Sequence, residues 1–162
     1  MLAWFGRLRA YSKRGHVRRD APLWEEEAVE VFIAEGEVDP SEYVEIEVNP
    51  GGAVFDARVV NPDGARNSMK VDPSWNAAGL IVEVTRPTPA VWRVEIAIPW
   101  SDLCAGVPSR VWRANIFRIE RPRDGRHEFS AWSPTFARPA DFHKPAHFGR
   151  LILEQERAWP KP

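Results

Sequence analysis

The 162-residue chain contains a single cysteine, Cys104, which excludes an intramolecular disulfide. The cysteine content therefore gives no evidence for an oxidising compartment and none against one. The chain also lacks an excess of either charge, since 22 Lys and Arg residues offset 23 Asp and Glu residues and leave a net charge of −1. Such a balance argues against binding to nucleic acid or to acidic membranes through the overall field of the protein.

Long apolar runs are absent as well. No stretch approaches the roughly 20 apolar residues that a membrane span requires. The N-terminal segment does not read as a secretory signal, because its basic residues are scattered and no apolar run separates them from a cleavage site. These are Arg7, Arg9, Lys13, Arg14, Arg18 and Arg19. We therefore expect a cytoplasmic protein by default, and an extracellular one if the N-terminus is truncated.

Proline and tryptophan are abundant, with 15 and 8 residues. Period-two patterning at 29–33 and 43–48, with Val or Ile at every second position, predicts strands with one face in a core and the other toward solvent or a ligand. Only 24–30 and 99–105 suit a helical turn. Further strands are predicted at 53–60, 79–85, 91–98, 111–120 and 148–154, with β-rich sequence around 128–132. The pattern indicates an all-β fold of two packed antiparallel sheets, a jelly-roll or immunoglobulin-like sandwich.

Five segments follow one another in a recognisable order. They are RRDAPLWEEEAVEVFI at 18–33, YVEIEVNPGGAVFDA at 43–57, VEIAIPWSDL at 94–103, WRANIFRIER at 112–121, and FSAWSPT with DFHKPAHFG between 129 and 149. In that order they resemble carbohydrate-binding module family 9 and its stand-alone bacterial relatives, which have a DOMON-like sandwich. The likeness covers roughly residues 17–154, and it implies a sandwich domain at 17–156.

Residues 1–16 form a divergent or truncated segment relative to that family. Family members usually carry at least one further strand before the RDAPLWEE sequence. Either the sandwich lacks that strand here, or residues 2–17 supply a substitute. A basic arm that binds phosphate or lipid is a third interpretation, weakened by the apolar residues that interrupt the run.

The resemblance implies a carbohydrate ligand, either a mono- or oligosaccharide or the end of a polysaccharide chain, and a role in carbohydrate catabolism. Sugar rings need flat aromatic surfaces for their apolar faces and fixed polar groups for their hydroxyls. Family members hold the sugar between two tryptophans, and Trp24 and Trp132 match those positions. Trp75, in a polar loop, is a further candidate, whereas Trp92 and Trp112 lie within strand patterns and are expected in the core.

Polar partners are harder to assign. Glu30 alternates with Val29 and Val31 and so points to the opposite strand face; its counterpart in the family accepts hydrogen bonds from sugar hydroxyls. Asn115 and Arg113 share one face of the strand at 111–120 and are further candidates. Family members also bind calcium, for which Asp20, Asp56 and Asp141 are the available carboxylates here.

Catalysis, haem or zinc binding and protein binding are the alternative functions. No catalytic residues are predicted. The surrounding sequence does not single out any pair of carboxylates for glycoside hydrolysis, and no G-x-S-x-G motif of a serine nucleophile occurs. Haem ligation would use Met69 with Lys70, His143 or His147 as its partner. Pro145 argues against a helical zinc site at the two histidines. A protein-binding sandwich that has lost its sugar affinity is the remaining alternative. The favoured function is non-catalytic carbohydrate binding without a cofactor.

Overall fold

The fold is a sandwich of two antiparallel β-sheets. A computed structural model describes residues 2–7, 15–89, 91–122 and 126–154, with side chains described throughout except at 2–7. The smaller sheet has the order β1 (Leu2–Arg7), β7 (Val91–Ala97), β6 (Ile81–Thr88). The larger sheet has the order β10 (Gly149–Ile152), β8 (Val111–Glu120), β2 (Ala28–Glu35), β3 (Glu42–Val48), β4 (Val54–Val60), β5 (Lys70–Asp72), and β9 (Glu128–Ala131) pairs with β8 beside β10. Among the described residues, no helix has the length and apolar character needed to cross a membrane.

Strand bounds agree closely with the alternation of the sequence. The strands are β1 (Leu2–Arg7), β2 (Ala28–Glu35), β3 (Glu42–Val48), β4 (Val54–Val60), β5 (Lys70–Asp72), β6 (Ile81–Thr88), β7 (Val91–Ala97), β8 (Val111–Glu120), β9 (Glu128–Ala131) and β10 (Gly149–Ile152). The expected helical turns are a 3-10 turn at Leu23–Glu25 and a short helix, α1, at Trp100–Leu103. A second 3-10 turn, Pro145–His147, precedes β10.

The main core lies between the two sheets. The valines and isoleucines at alternate positions of β2 and β3 pack there against Trp92 and Trp112, which are fully buried. Both tryptophans therefore have the core position that the strand pattern predicts. The Trp92 indole donates a hydrogen bond of 3.0 Å to Glu27, so its polar edge is satisfied inside the protein.

The outer face of the larger sheet is buried too, which the alternation alone did not indicate. Its aromatic residues form a second core with Phe148 and Phe142, from the segment before β10. Sheet residues in this core are Phe32, Ala34, Tyr43, Val59 and Phe117. The covering segment closes over only part of the face, and the uncovered part near β2, β3 and β4 becomes a cavity.

The N-terminal strand completes the smaller sheet. β1 pairs antiparallel with β7 over six residues, from Leu2 opposite Ile96 to Arg7 opposite Val91. The backbone of residues 2–7 therefore forms a strand of the kind that the substitute-strand hypothesis expected. Residues 8–14 lie outside the described part of the chain. Without β1, the outer N–H and C=O groups of β7 would form an unpaired edge.

Candidate functional site

The uncovered part of the larger sheet forms a cavity of about 330 Å³. Its walls combine aromatic rings with carboxylates. The lining residues are Trp24, Glu30, Glu45, Glu47, Phe55, Arg66, Met69, Val71, Ile119, Phe129, Ala140, Phe142 and His143. A site with flat apolar walls and a few convergent polar groups is the usual form of a small-molecule site.

Trp24 stands at the rim of this cavity. Its 3-10 turn is anchored by Leu23, which is fully buried, while the indole itself is 45% exposed. The ring meets Phe55 edge-on, with centroids 5.3 Å apart, and Arg121 donates a 2.9 Å hydrogen bond to the Trp24 carbonyl. The large ring is therefore held in place and still has an open surface.

Three glutamates form the floor. Glu30 of β2 is the direct cross-strand partner of Glu47 of β3, and Glu45 lies on the same face of β3 two residues earlier. All three residues are at least 96% buried, and one carboxylate oxygen from each lies within 4.8 Å of the others. The strand register therefore brings three acidic groups together beneath the aromatic rim.

Burial raises the pKa of each of these carboxyl groups. The pKa of Glu30 is well above its ordinary value because burial disfavours the charged form, and the charge of Glu45 adds to this. The pKa of Glu47 is raised by burial and then by the charges of Glu30 and Glu45. Burial is also the main cause that raises the pKa of Glu45 to about 7. The cluster therefore retains protons at neutral pH and offers both donors and acceptors.

Two basic groups lie near this cluster, and one of them, the His143 ring, places its Nε2 3.8 Å from Glu45 Oε1. The Arg66 guanidinium is largely exposed and pairs with Asp141, with 2.8 Å between its Nη2 and the carboxylate. His143 Nδ1 lies 2.7 Å from the Tyr43 hydroxyl. Burial, followed by the charge of Arg66, lowers the pKa of His143 to about 4, so its ring is neutral at neutral pH.

The other sugar-binding candidates lie outside the cavity lining. Trp132 is 53% exposed, but its ring lies against Gly149, and its backbone N–H bonds to Ile116. Trp75 packs against the main core, with Arg58 over its ring at 5.8 Å. Of the candidates named from the sequence, the structure thus brings Trp24 and Glu30 together.

Asn115 and Arg113 have protein partners. The buried Asn115 amide donates to the Ser133 carbonyl at 2.8 Å and accepts from the Ser133 N–H at 2.9 Å, which fastens the segment after β9 to β8. Arg113 pairs with Asp39 at 2.6 Å. Both side chains hold loops in place in this structure.

The three aspartates proposed for calcium have basic partners, and Asp20 and Asp56 both lie beside Arg19. Asp56 accepts two hydrogen bonds from Arg19, at 2.6 and 2.7 Å, and one from the Ala77 N–H at 2.8 Å. Asp141 binds Arg66 and Lys144, and Asp20 lies 3.9 Å from Arg19. Within the described part of the chain, the carboxylates grouped closely enough to contact one cation are those of Glu30, Glu45 and Glu47. Their oxygens are donors of the type that calcium takes.

The candidate haem and zinc ligands do not all lie at one site. Met69 and His143 both line the cavity. His147 instead meets Phe136 edge-on, with ring centroids 5.8 Å apart, while His143 faces Tyr43. The two histidines therefore have different surroundings, and Lys70 is an exposed residue of β5.

Comparison with known proteins identifies the family. The model described as carbohydrate-binding family 9 matches residues 6–153, nearly the entire chain. The chain belongs to carbohydrate-binding family 9. Membership supports carbohydrate binding as the general function, and it agrees with a domain that binds rather than catalyses.

Two further similarities accompany this family 9 match. An extracellular protein of Arthroderma benhamiae (strain ATCC MYA-4681 / CBS 112371) is 29% identical over 141 residues, covering 81% of this chain and 62% of the relative. The chain thus spans less than two thirds of that relative's length. The crystal structure of a candidate carbohydrate-binding protein from Bacteroides uniformis ATCC 8492 shares the fold, with a TM-score of 0.67 and 17% identity. That match covers 94% of this chain and 70% of the other.

Several lining residues of this family 9 domain were missed in the sequence. Alternation places Glu45 and Glu47 on one face of β3, but only the β2–β3 register shows that Glu47 meets Glu30. Phe129 lies in the short strand β9, and Arg66 in a loop, so neither carried a periodic signal. The acidic residues in two neighbouring strands were the one sequence feature that could have indicated the cluster.

Proposed function

We propose that this family 9 domain binds a carbohydrate in the cavity above Glu30, with Trp24 stacking on a sugar ring. The observation that carries the proposal is the open face of Trp24 at the rim of a cavity whose floor is polar. Phe129, which is 44% exposed, supplies a second aromatic wall. A volume of about 330 Å³ suits a mono- or disaccharide, because it lies at the small end of ligand sites.

Each group in the cavity then has a role. Trp24 and Phe129 cover the apolar faces of a ring, and Glu30 and its neighbours hydrogen-bond to hydroxyls. Trp132 and Asn115 support the segment that follows β9, and Arg113 fastens a distant loop. The domain serves carbohydrate catabolism by holding a sugar rather than by cleaving it.

The arrangement of the carboxylates supports non-catalytic binding. Glycosidases place two carboxyl groups about 5–10 Å apart on either side of the scissile bond. Here one carboxyl oxygen from each of Glu30, Glu45 and Glu47 lies within 4.8 Å of the others, and all three groups belong to the floor of the cavity. We expect no turnover of aryl glycosides; turnover that is lost on changing a glutamate of this cluster would make the protein an enzyme.

The binding proposal is tested by titrating the protein with a panel of mono- and disaccharides, followed by calorimetry and tryptophan fluorescence. Loss of ring stacking is worth about 1–3 kcal/mol, so Trp24→Ala should weaken binding roughly 5- to 150-fold. Trp132→Ala is the matched control, because it removes an exposed tryptophan outside the cavity, and we expect less than a twofold change. No saturable binding by any sugar, or equal effects of the two variants, would defeat the proposal.

A further inference from the structure

The floor of the cavity is more acidic than a neutral ligand requires. Three buried carboxyl groups converge there, and the one guanidinium among the lining residues, that of Arg66, is engaged by Asp141. His143 lies between the Tyr43 hydroxyl, 2.7 Å from its Nδ1, and Glu45, 3.8 Å from its Nε2, and its lowered pKa keeps the ring neutral at neutral pH. A positively charged group on a ligand in this cavity would favour the ionised form of the three carboxyl groups, which then accept hydrogen bonds.

One of these acceptors lacks a partner. Glu47 is 1% exposed, it lines the cavity, and its Oε2 atom has no hydrogen-bond partner among the described residues. A buried carboxyl oxygen left in this state destabilises the protein. A donor on the ligand would remove that cost. The unpartnered Oε2 atom of Glu47 is an observation separate from the clustering of the three glutamates. It indicates a ligand that carries hydrogen-bond donors.

The carboxyl oxygens of the cluster lie close enough together to contact one primary ammonium group. An ammonium donates three hydrogen bonds in tetrahedral directions, and with N–O distances near 2.8 Å the three acceptor oxygens lie about 4.6 Å apart. The carboxylate oxygens of the cluster lie within 4.8 Å of one another. A single hydroxyl supplies one donor, so a neutral sugar would need three hydroxyls aimed at one point to use the same acceptors.

The aromatic rim decides between an amine and a bare metal ion. A calcium ion also places oxygens about 4.6–5.2 Å apart across its centre, so the floor alone fits either cation. A bare ion, however, leaves the open faces of Trp24 and Phe129 without a function. A molecule with both a positive charge and an apolar ring face uses the floor and the rim together.

We propose that the ligand of this cavity is an amino sugar whose free ammonium group is held by Glu30, Glu45 and Glu47. The inference rests on the proposed function and narrows its ligand class. The ring lies against Trp24 while the ammonium reaches the floor. Binding releases protons from the cluster to solvent, because the cation favours the ionised form of the carboxyl groups beside it.

The test compares D-glucosamine and D-galactosamine with their N-acetylated and 2-hydroxyl counterparts by calorimetry at pH 6.5, where a primary amine is protonated. We expect at least one amino sugar to bind tenfold or more tightly than both of its counterparts. Repeating the titration in two buffers of different ionisation enthalpy should show proton release for the amino sugar alone.

Substitutions then test whether the glutamates of the floor cause the preference for amino sugars. Glu47→Gln keeps the shape of the side chain, and we expect it to reduce the affinity ratio of amino sugar to neutral sugar to less than threefold. Glu30→Gln provides an independent second variant, and thermal melting checks that both are folded. Glu83→Gln, at an exposed position of β6, is the matched control and should keep the full ratio.

The outcomes separate this inference from the proposed function. Equal binding of amino, N-acetylated and neutral sugars would overturn the inference while the proposed function stands. Binding of calcium chloride to the cluster without a preference for amino sugars would also overturn it. Absence of binding by every sugar would defeat both.

Discussion

Glu30 and Glu47 face each other across the β2–β3 pair, with both carboxyl groups in the floor of one cavity. Ionised carboxylates on directly opposed strand positions would repel each other, and burial also disfavours the ionised form, so the pKa values of both groups are raised. The sheet therefore keeps this pair at the expense of stability. Binding sites commonly contain such groups, because a ligand can relieve an unfavourable arrangement that folding alone tolerates.

The first prediction concerns pH. Because the folded pKa of Glu45 is about 7 and its unfolded value is near 4.5, its proton stabilises the folded state below about pH 4.5. That contribution is lost as the pH rises from 4.5 through 7. The free energy of unfolding should therefore fall between pH 5 and 8. We expect that fall to be smaller in Glu45→Gln than in the natural chain, by roughly 1–3 kcal/mol. Urea denaturation at both pH values measures this difference, and parallel curves would contradict it.

The second prediction concerns the contact between Trp132 and Gly149. A Cβ atom on residue 149 would lie 2.7 Å from the indole, so Gly149→Ala forces the ring to move. We expect a loss of about 1–3 kcal/mol in stability. Trp132→Ala removes the obstacle, and in that background the glycine substitution should cost much less. A double-mutant cycle by chemical denaturation checks the coupling, and additive effects would show that the ring is not the cause.

The third prediction concerns the clamp formed by Asn115. Replacing it by Ala leaves the Ser133 N–H and carbonyl without their partners, which should cost about 1–3 kcal/mol. The exchange of the Ser133 amide hydrogen should also accelerate. Asn115→Asp keeps the acceptor for the Ser133 N–H and should protect that amide better than Ala does. Unchanged exchange in the alanine variant would exclude the clamp.

The fourth prediction concerns the ion pair of Arg19 and Asp56. The Asp56 side chain is fully buried, so Arg19→Ala leaves it with the Ala77 N–H as its remaining described partner. We expect a lower thermal midpoint, with a cost of about 1–3 kcal/mol. Arg18→Ala, an exposed neighbour, is the control and should stay within about 0.5 kcal/mol of the natural chain. Equal midpoints for the two variants would contradict a structural role for the pair.

The fifth prediction concerns β1. Removing residues 1–12 strips the six-residue partner from β7 and exposes a sheet edge. The truncated protein should melt at a lower temperature or self-associate, which differential scanning calorimetry and sedimentation measure. A truncated chain that is as stable and monomeric as the full one would show that the strand is dispensable.

Local patterning in the sequence was enough to predict most strands and the core tryptophans. The alternation at 29–33 and 43–48 records which side chains face the sheet-to-sheet core, because a strand reverses its side-chain direction at every residue. The same alternation separated Glu30 from Val29 and Val31. The order of five segments indicated the family, which the matching model confirmed.

The tertiary structure alone decided what shares the cavity. Trp24 and Glu30 line one cavity because the 3-10 turn and β2 both border it, whereas Trp132, which is also exposed and was also a candidate from the sequence, lies over Gly149. Glu45 and Glu47 joined Glu30 through the register of β2 and β3, and Phe129 through the pairing of β9 with β8. The physical reason is that strand pairing joins residues distant in sequence, and its register follows from the packing of whole sheets rather than from any local pattern.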